Sequence, residues 1–168
     1  HGMLKKNEKT KDGGDYEGKK WDVYVYGDVN IDLVVPGVSS LPKPGQEDEV
    51  PVMDTYVGGG AALFALGIGK LGLHPVFQGE VGDDCYGELI RKEFAAKNID
   101  DSLLGTSRTE KTGISISFTN EKDRSFLTYR GTNAGISIDK VDIEGVKNAS
   151  HIHMTGYEGS KNLSLIHI

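Results

Sequence analysis

Strands and helices alternate along most of this chain, and that alternation restricts its fold more than any other feature. Residues 23–26, 75–78 and 149–154 are short β-branched and aromatic runs typical of buried strands. Residues 61–71 are apolar nearly all round, and a second amphipathic helix follows Asp83 or Asp84. A strand–helix–strand repeat of this kind predicts an α/β fold, with a parallel sheet flanked by helices.

One segment departs from that rhythm and predicts a small antiparallel sheet. Ile114, Ile116 and Phe118 alternate with Ser115 and Ser117, so the two sets lie on opposite faces of a strand. After a polar turn the chain returns as a second strand, which gives a hairpin over residues 112–130. With a further strand near residues 47–53, it would form a lid standing off the main domain. An edge hairpin of the main sheet is the alternative interpretation.

The two ends of the chain do not share the globular pattern. Residues 1–20 are polar and glycine-rich, and we expect a disordered tail. Residues 163–168 form an out-of-pattern end, either the next element cut short or foreign sequence. Residues 21–162 are expected to form one partial α/β domain.

Composition excludes several classes of function. The net charge of -6 lacks the basic excess typical of nucleic-acid binding, and no apolar run is long enough to span a bilayer. A single cysteine excludes an internal disulfide, and no cysteine–histidine grouping has metal-site spacing, so we expect no metal ligands. These features predict a soluble cytoplasmic protein.

Asn30 and Asp32, which we expect at the polar end of the first strand, are candidate hydroxyl-binding residues. They lie two apart, so in extended chain both side chains project to one face. An asparagine amide donates and accepts hydrogen bonds, whereas an ionised aspartate accepts from two hydroxyls. In the alternative interpretation both are turn residues that satisfy their own backbone.

The glycine run at Gly58, Gly59 and Gly60 leads directly into the first helix and permits two interpretations. Amides at a helix N-terminus bind phosphate, whereas missing side chains allow a ligand ring to approach the backbone. No lysine–serine or lysine–threonine pair follows the run, which excludes a Walker-type phosphate loop. The Gly-x-Gly-x-x-Gly pattern at 67–72 ends a helix instead of opening one, so it does not predict a dinucleotide site.

Several segments, in this order, resemble the signatures of the PfkB/ribokinase-type carbohydrate kinases. They are 27–34, the glycine run with Ala61 and Ala62, 79–87, Thr112-Gly113 and 131–134. The similarity covers residues 21–157 and implies a ribokinase-like fold with a β lid, here truncated to its amino-terminal, substrate-binding half. Leu63 stands where the family usually has an asparagine, so one hydroxyl-binding amide is lost.

The resemblance implies phosphoryl transfer from ATP, with Mg, to a sugar hydroxymethyl group. It implies that Asn30, Asp32, the glycine run, Ser115 and Ser117 hold the acceptor, while Arg130 could reach a phosphate or an acidic substrate. The family's catalytic base lies in a Gly-Ala-Gly-Asp motif that this chain lacks, so we expect no catalytic residue here and no activity from this chain alone. The full-length protein is expected to dimerise through its lid. The alternatives are a nucleoside kinase and a non-catalytic polyol-binding domain.

Overall fold

The computed structural model describes residues 18–155, which form two four-stranded sheets with helices packed on the first. In chain order the elements are β1 Trp21–Tyr26, β2 Asn30–Pro36, β3 Asp54–Gly58, α1 Gly60–Lys70, β4 Pro75–Gly82, α2 Cys85–Ala96, β5 Leu104–Ser107, β6 Gly113–Thr119, β7 Arg124–Tyr129, 3₁₀ turns at Gly131–Gly135 and Ile138–Lys140, α3 Ile143–Lys147 and β8 Ala149–Met154. No helix within residues 18–155 is both long and apolar enough to cross a bilayer.

The main sheet is parallel, as the alternation predicted, with strand order β5-β4-β1-β8. Successive residues of β1 point to opposite faces. Val23 and Val25 join the core beneath α1 and α2, while Tyr24 and Tyr26 join a second core on the other face, beside Ile136. Both faces of the central strand are therefore buried, which explains its run of apolar and aromatic residues from Val23 to Tyr26.

The helix ends lie close to where the sequence placed them. Asp84 caps α2 through the Gly87 amide at 2.8 Å. After α1 and α2 the chain passes through residues with positive φ, Gly72 at 88° and Asn98 at 59°. The segment 67–72 ends α1 and precedes β4, so it lacks the strand–turn–helix context of a dinucleotide site.

The second sheet, which we call the lid, has the order β3-β2-β6-β7. The predicted hairpin is present as β6–β7, with Ile116 opposite Leu127. Its turn is held by the Asn120 side chain, which accepts from the amides of Lys122 and Asp123. β2 pairs with β6 in parallel and with β3 in antiparallel fashion.

Two predicted strand assignments were wrong. The strand expected near 47–53 begins only at Asp54; Pro51 has no N–H to donate to a ladder, and regular pairing with β2 starts beyond it. Asn30 and Asp32 do not end the first strand. They lie on β2, because the chain leaves the main sheet after Tyr26 and enters the lid at Asn30.

Parts of the predicted domain division lie outside the described residues. The tail predicted over 1–20 is described only at residues 18–20, and the end predicted at 163–168 is not described at all. Among the described residues the first strand begins at Trp21.

Candidate acceptor site

Asn30 and Asp32 form a hydrogen-bonded pair on the same face of β2. The Asn30 side-chain amide donates from Nδ2 to Asp32 Oδ1 over 2.6 Å. Partial burial raises the pKa of the Asp32 carboxyl above its usual range; the hydrogen bond from Asn30 lowers it in part, and the nearby charge of Asp28 adds to the rise. The pair presents an oriented set of donor and acceptor atoms, with the second oxygen of Asp32 left for another partner.

Gly58 lies directly beside this pair, because β3 places it opposite Asn30. A Cβ atom at residue 58 would collide with all three atoms of the Asp32 carboxylate group. Any other residue at position 58 would displace the Asp32 carboxylate from its place beside Asn30. This contact is an internal reason for the glycine, in addition to the approach of a ligand that the resemblance implies.

Gly59 adopts a φ of 97°, a conformation that residues with side chains rarely adopt. A Cβ atom there would also lie 2.7 Å from the Asp28 carbonyl oxygen. Gly60, the first residue of α1, lies beside Asp28 and Thr155. The glycine run thus lets β3 turn sharply into α1 next to the Asn30–Asp32 pair.

Asp28 caps α1 from a distant part of the chain, which the sequence analysis missed. Its two carboxylate oxygens accept from the amides of Gly60 at 2.9 Å and Ala61 at 3.1 Å, and its backbone oxygen accepts from the Ala62 amide. The Thr155 hydroxyl donates to the same carboxylate. These amides are already bonded to an anionic side chain, which disfavours the phosphate-binding interpretation of the glycine run. Local capping patterns could not reveal a cap that lies 32 residues before its helix.

Ser115 and Ser117 share one face of β6, as their alternation predicted, and the structure places Asp32 on the same face. Ser115 pairs with Asp32 across β2 and β6, and its hydroxyl lies 3.3 Å from that of Thr128. A cavity of about 520 Å³ opens on this face. It is lined by Asp32, Val34, Ser115, Ser117, Thr119, Asn120, Arg124 and Phe126.

Arg130 is not among the residues that line this cavity. It is exposed at the start of the 3₁₀ turn Gly131–Gly135, where its backbone oxygen accepts from the Asn133 amide. The structure therefore brings together Asn30, Asp32, Gly58 and Gly59, and places the two serines along the same face. The backbone of Arg130 lies beside Gly113, the β6 partner of Asn30, and its side chain is exposed.

Two polar side chains, Asp84 and Asn133, attach the lid to the main domain. The sequence did not predict this role for either residue. Asp84 accepts from the backbone amide of Thr112 at 2.9 Å and from its hydroxyl at 2.7 Å, and that hydroxyl accepts from the Gly82 amide. Asn133 bonds both backbone groups of Val29, which precedes β2. These contacts attach the first residues of β6 and β2 to the main domain.

The geometry defines a class of protein: an α/β domain with an antiparallel lid and a polar site, suited to hydroxyl groups, where the two sheets meet. A family model described as "pfkB family carbohydrate kinase" matches residues 20–167. The chain belongs to this family.

Relatives and solved structures agree with that assignment. The chain is 30% identical over 145 residues to the 5-dehydro-2-deoxygluconokinase of Clostridium perfringens, covering 83% of the chain and 41% of the relative. It is 28% identical to Arabidopsis thaliana "probable fructokinase-6, chloroplastic", covering 89% and 38%. The structure of Arabidopsis thaliana ribokinase complexed with ribose and ATP superposes with a TM-score of 0.70 and 25% identity, covering 80% and 45%. The chain therefore spans less than half the length of these proteins.

Proposed function

We propose that the full-length protein transfers a phosphoryl group from ATP to the hydroxymethyl group of a sugar or sugar-like acceptor. The chain described above would supply the acceptor site and the lid. The observation that carries this proposal is the Asn30–Asp32 pair, whose carboxylate lies against Gly58 and whose Asp32 lines the lid cavity. The names of the relatives, which include a sugar-acid kinase and a fructokinase, support a carbohydrate acceptor.

The chemistry of the proposed site follows from its hydrogen-bonding groups. Asp32 accepts from acceptor hydroxyls, while Asn30 holds its carboxylate in one orientation. Ser115 and Ser117 offer hydroxyls that donate and accept from the lid side. Leu63, exposed on α1, offers no hydrogen bond where the family usually has an asparagine, so the acceptor would be held by fewer polar groups near this helix.

The residues described here do not fit ATP and Mg²⁺. Within residues 18–155 no group of three or more histidine, cysteine or acidic side chains could hold a metal ion. The leading amides of α1 are bonded to Asp28, and Asp84 accepts from the Gly87 amide in α2. We therefore assign nucleotide binding and the catalytic base to the part of the full-length protein beyond this chain, and derive no step of the transfer itself.

Two further proposals concern the oligomeric state of the full-length protein and its location in the cell. The exposed apolar side chains of the lid, including Leu127 and Tyr129, suit a homodimer formed lid to lid. The acidic composition suits a small-molecule substrate more than nucleic acid or a membrane, in a cytoplasmic enzyme.

The test compares the 168-residue chain with the protein encoded by its complete reading frame. We expect sugar-dependent ATP consumption only from the complete protein, assayed against hexoses, hexonates and nucleosides. The Asp32→Asn variant should lose at least about tenfold in kcat/KM, since a hydrogen bond to a charged group contributes about 1.5–3 kcal/mol. Asp54→Asn is the matched control, because Asp54 is exposed in the same sheet.

Other results of these assays would favour one of the alternative functions. Phosphorylation of nucleosides in preference to sugars would replace the proposal with a nucleoside kinase. Sugar binding by the complete protein without turnover would indicate a non-catalytic polyol-binding protein. Robust turnover by the 168-residue chain would show that the catalytic groups have been misplaced.

A further inference from the structure

The loop between β1 and β2 carries a carboxylate that joins three separate segments of the chain. Asp28 lies in this loop and is half-buried. Its Oδ2 atom accepts from the Gly60 amide at 2.9 Å, and its Oδ1 atom accepts from the Ala61 amide at 3.1 Å. Oδ1 also accepts from the Thr155 hydroxyl at 3.1 Å. One side chain therefore connects the entry into the lid, the first turn of α1 and the end of β8.

The backbone around this carboxylate is closely packed. The Thr155 amide donates to the Tyr26 carbonyl oxygen at 3.1 Å, which continues the pairing of β1 with β8 by one residue. A Cβ atom at Gly27 would collide with the Thr155 carbonyl oxygen and would lie 2.8 Å from the Ala61 Cβ atom. The end of β8 and the start of α1 therefore both contact the chain immediately before Asp28.

The segment that Asp28 holds is the glycine run, against which the Asn30–Asp32 pair lies. A Cβ atom at Gly59 would lie 2.7 Å from the Asp28 carbonyl oxygen and 3.0 Å from Asn30 Oδ1. Gly58 in turn lies against the Asp32 carboxylate. A shift of the first turn of α1 would therefore move both glycines relative to the two side chains that we propose bind the acceptor.

We propose that Asp28 is a positioning residue for the acceptor site: it holds Asp32 in place through the glycine run and links that site to the end of β8. This inference rests on the proposed function. Both carboxylate oxygens of Asp28 are bonded within the chain, so Asp28 would act through Asp32 and not on the acceptor itself. A carboxylate suits this role, because it accepts several hydrogen bonds at once and each is stronger than one between neutral groups.

The test uses variants of the complete protein, assayed with the hexose, hexonate or nucleoside that the wild type phosphorylates most efficiently. In Asp28→Asn a donating amide replaces one accepting oxygen and the charge is lost, so kcat/KM should fall roughly tenfold, mainly through a higher KM. Thr155→Val removes one hydrogen bond and keeps the charge, so KM should rise about two- to fivefold. Acceptor affinity, measured by titration calorimetry without ATP, should fall in the same proportion.

The pH dependence of kcat/KM separates the position of Asp28 from its charge. Burial raises the pKa of Asp32, the hydrogen bond from Asn30 lowers it in part, and the charge of Asp28 raises it further. Asp28→Asn removes this repulsion, so the fall of kcat/KM in acid should move to lower pH. Thr155→Val should leave that fall at the wild-type pH, because the Asp28 charge remains.

Asp142→Asn is the matched control, since Asp142 also caps a helix, but through the Gly145 amide of α3 at 2.7 Å. It should lower stability in urea and leave KM unchanged. Wild-type KM values in Asp28→Asn and Thr155→Val, or an equal rise of KM in Asp142→Asn, would overturn the inference and leave the proposed function intact. If Asp28→Asn does not fold, the KM of Thr155→Val decides. A wild-type protein that phosphorylates none of the acceptors would count against the proposed function itself.

Discussion

Single polar residues hold the distant parts of this chain together, and Asp84 shows this most clearly. One carboxylate caps α2 and binds both the amide and the hydroxyl of Thr112, the residue that leads into β6. The sequence predicted the cap, because an aspartate before an amphipathic helix is a local signal. It could not predict the Thr112 contact, because the two residues are 28 positions apart and only the folded chain brings them together.

Replacing Asp84 with alanine should destabilise the complete protein by about 1–3 kcal/mol, since a helix cap and two further hydrogen bonds are lost. Urea unfolding measures this change. Burial raises the pKa of Asp84, but the hydrogen bonds from Thr112 and from the α2 amides outweigh it, so the net pKa is lowered. Its contribution is therefore complete above the unfolded pKa and is lost as the pH falls through the folded pKa.

The difference in stability between wild type and Asp84→Ala should accordingly shrink in acid. Asp83→Ala is the control, because Asp83 is exposed and its side chain does not cap the helix. Equal stability of the Asp84→Ala and Asp83→Ala proteins at neutral pH would contradict this role.

At the scale of elements, the lid was partly predictable. The period-two alternation of 114–118 predicted the hairpin and its two faces, because that signal is local. The parallel pairing of β2 with β6 was not predicted, since Asn30 and Gly113 lie far apart in sequence and pair only through the tertiary fold. For the same reason the Asn30–Asp32 pair was assigned to the wrong strand, although its side-chain direction followed from spacing alone.

The apolar face of the lid is only partly covered by the described chain. Ile31 and Val35 of β2 are buried on this face, whereas Leu127 of β7 is 58% exposed and Ile116 is half-buried. We expect a second lid to cover this face in the full-length protein. Leu127→Asp and Ile116→Asp should each give a folded monomer, measured by light scattering and circular dichroism, because a charge would be buried at the interface.

Leu71→Asp provides the matched control, since Leu71 is 82% exposed at the end of α1 and belongs to no strand of the lid. Its oligomeric state should equal that of the wild type. Dimers that persist in both lid variants, or variants that simply unfold, would rule out the lid-to-lid arrangement.

For the whole molecule, the sequence predicted a parallel sheet and a small antiparallel lid, and the resemblance implied a truncated domain. β8 lies at one edge of that sheet and pairs, within the described residues, with β1 alone. The chain covers 41% of a relative to which it is 30% identical. Which strand forms this edge was not predictable, because strand order depends on packing between helices and sheet that local patterns do not encode.

An unpaired strand edge is a template for association, so the 168-residue chain alone should self-associate through β8. Ile152, 53% exposed on this strand, adds apolar surface to the edge. In Ile152→Lys a charge at the edge should oppose strand addition, and the fraction of monomer in light scattering should rise severalfold at equal protein concentration. Leu71→Lys removes an apolar side chain that is even more exposed, at 82%, elsewhere on the chain and should leave association unchanged. If the unmodified chain is instead a monodisperse monomer with a sharp reversible thermal transition, the β8 edge is not an association site. The complete protein should remain free of this association, because its additional chain would cover the edge.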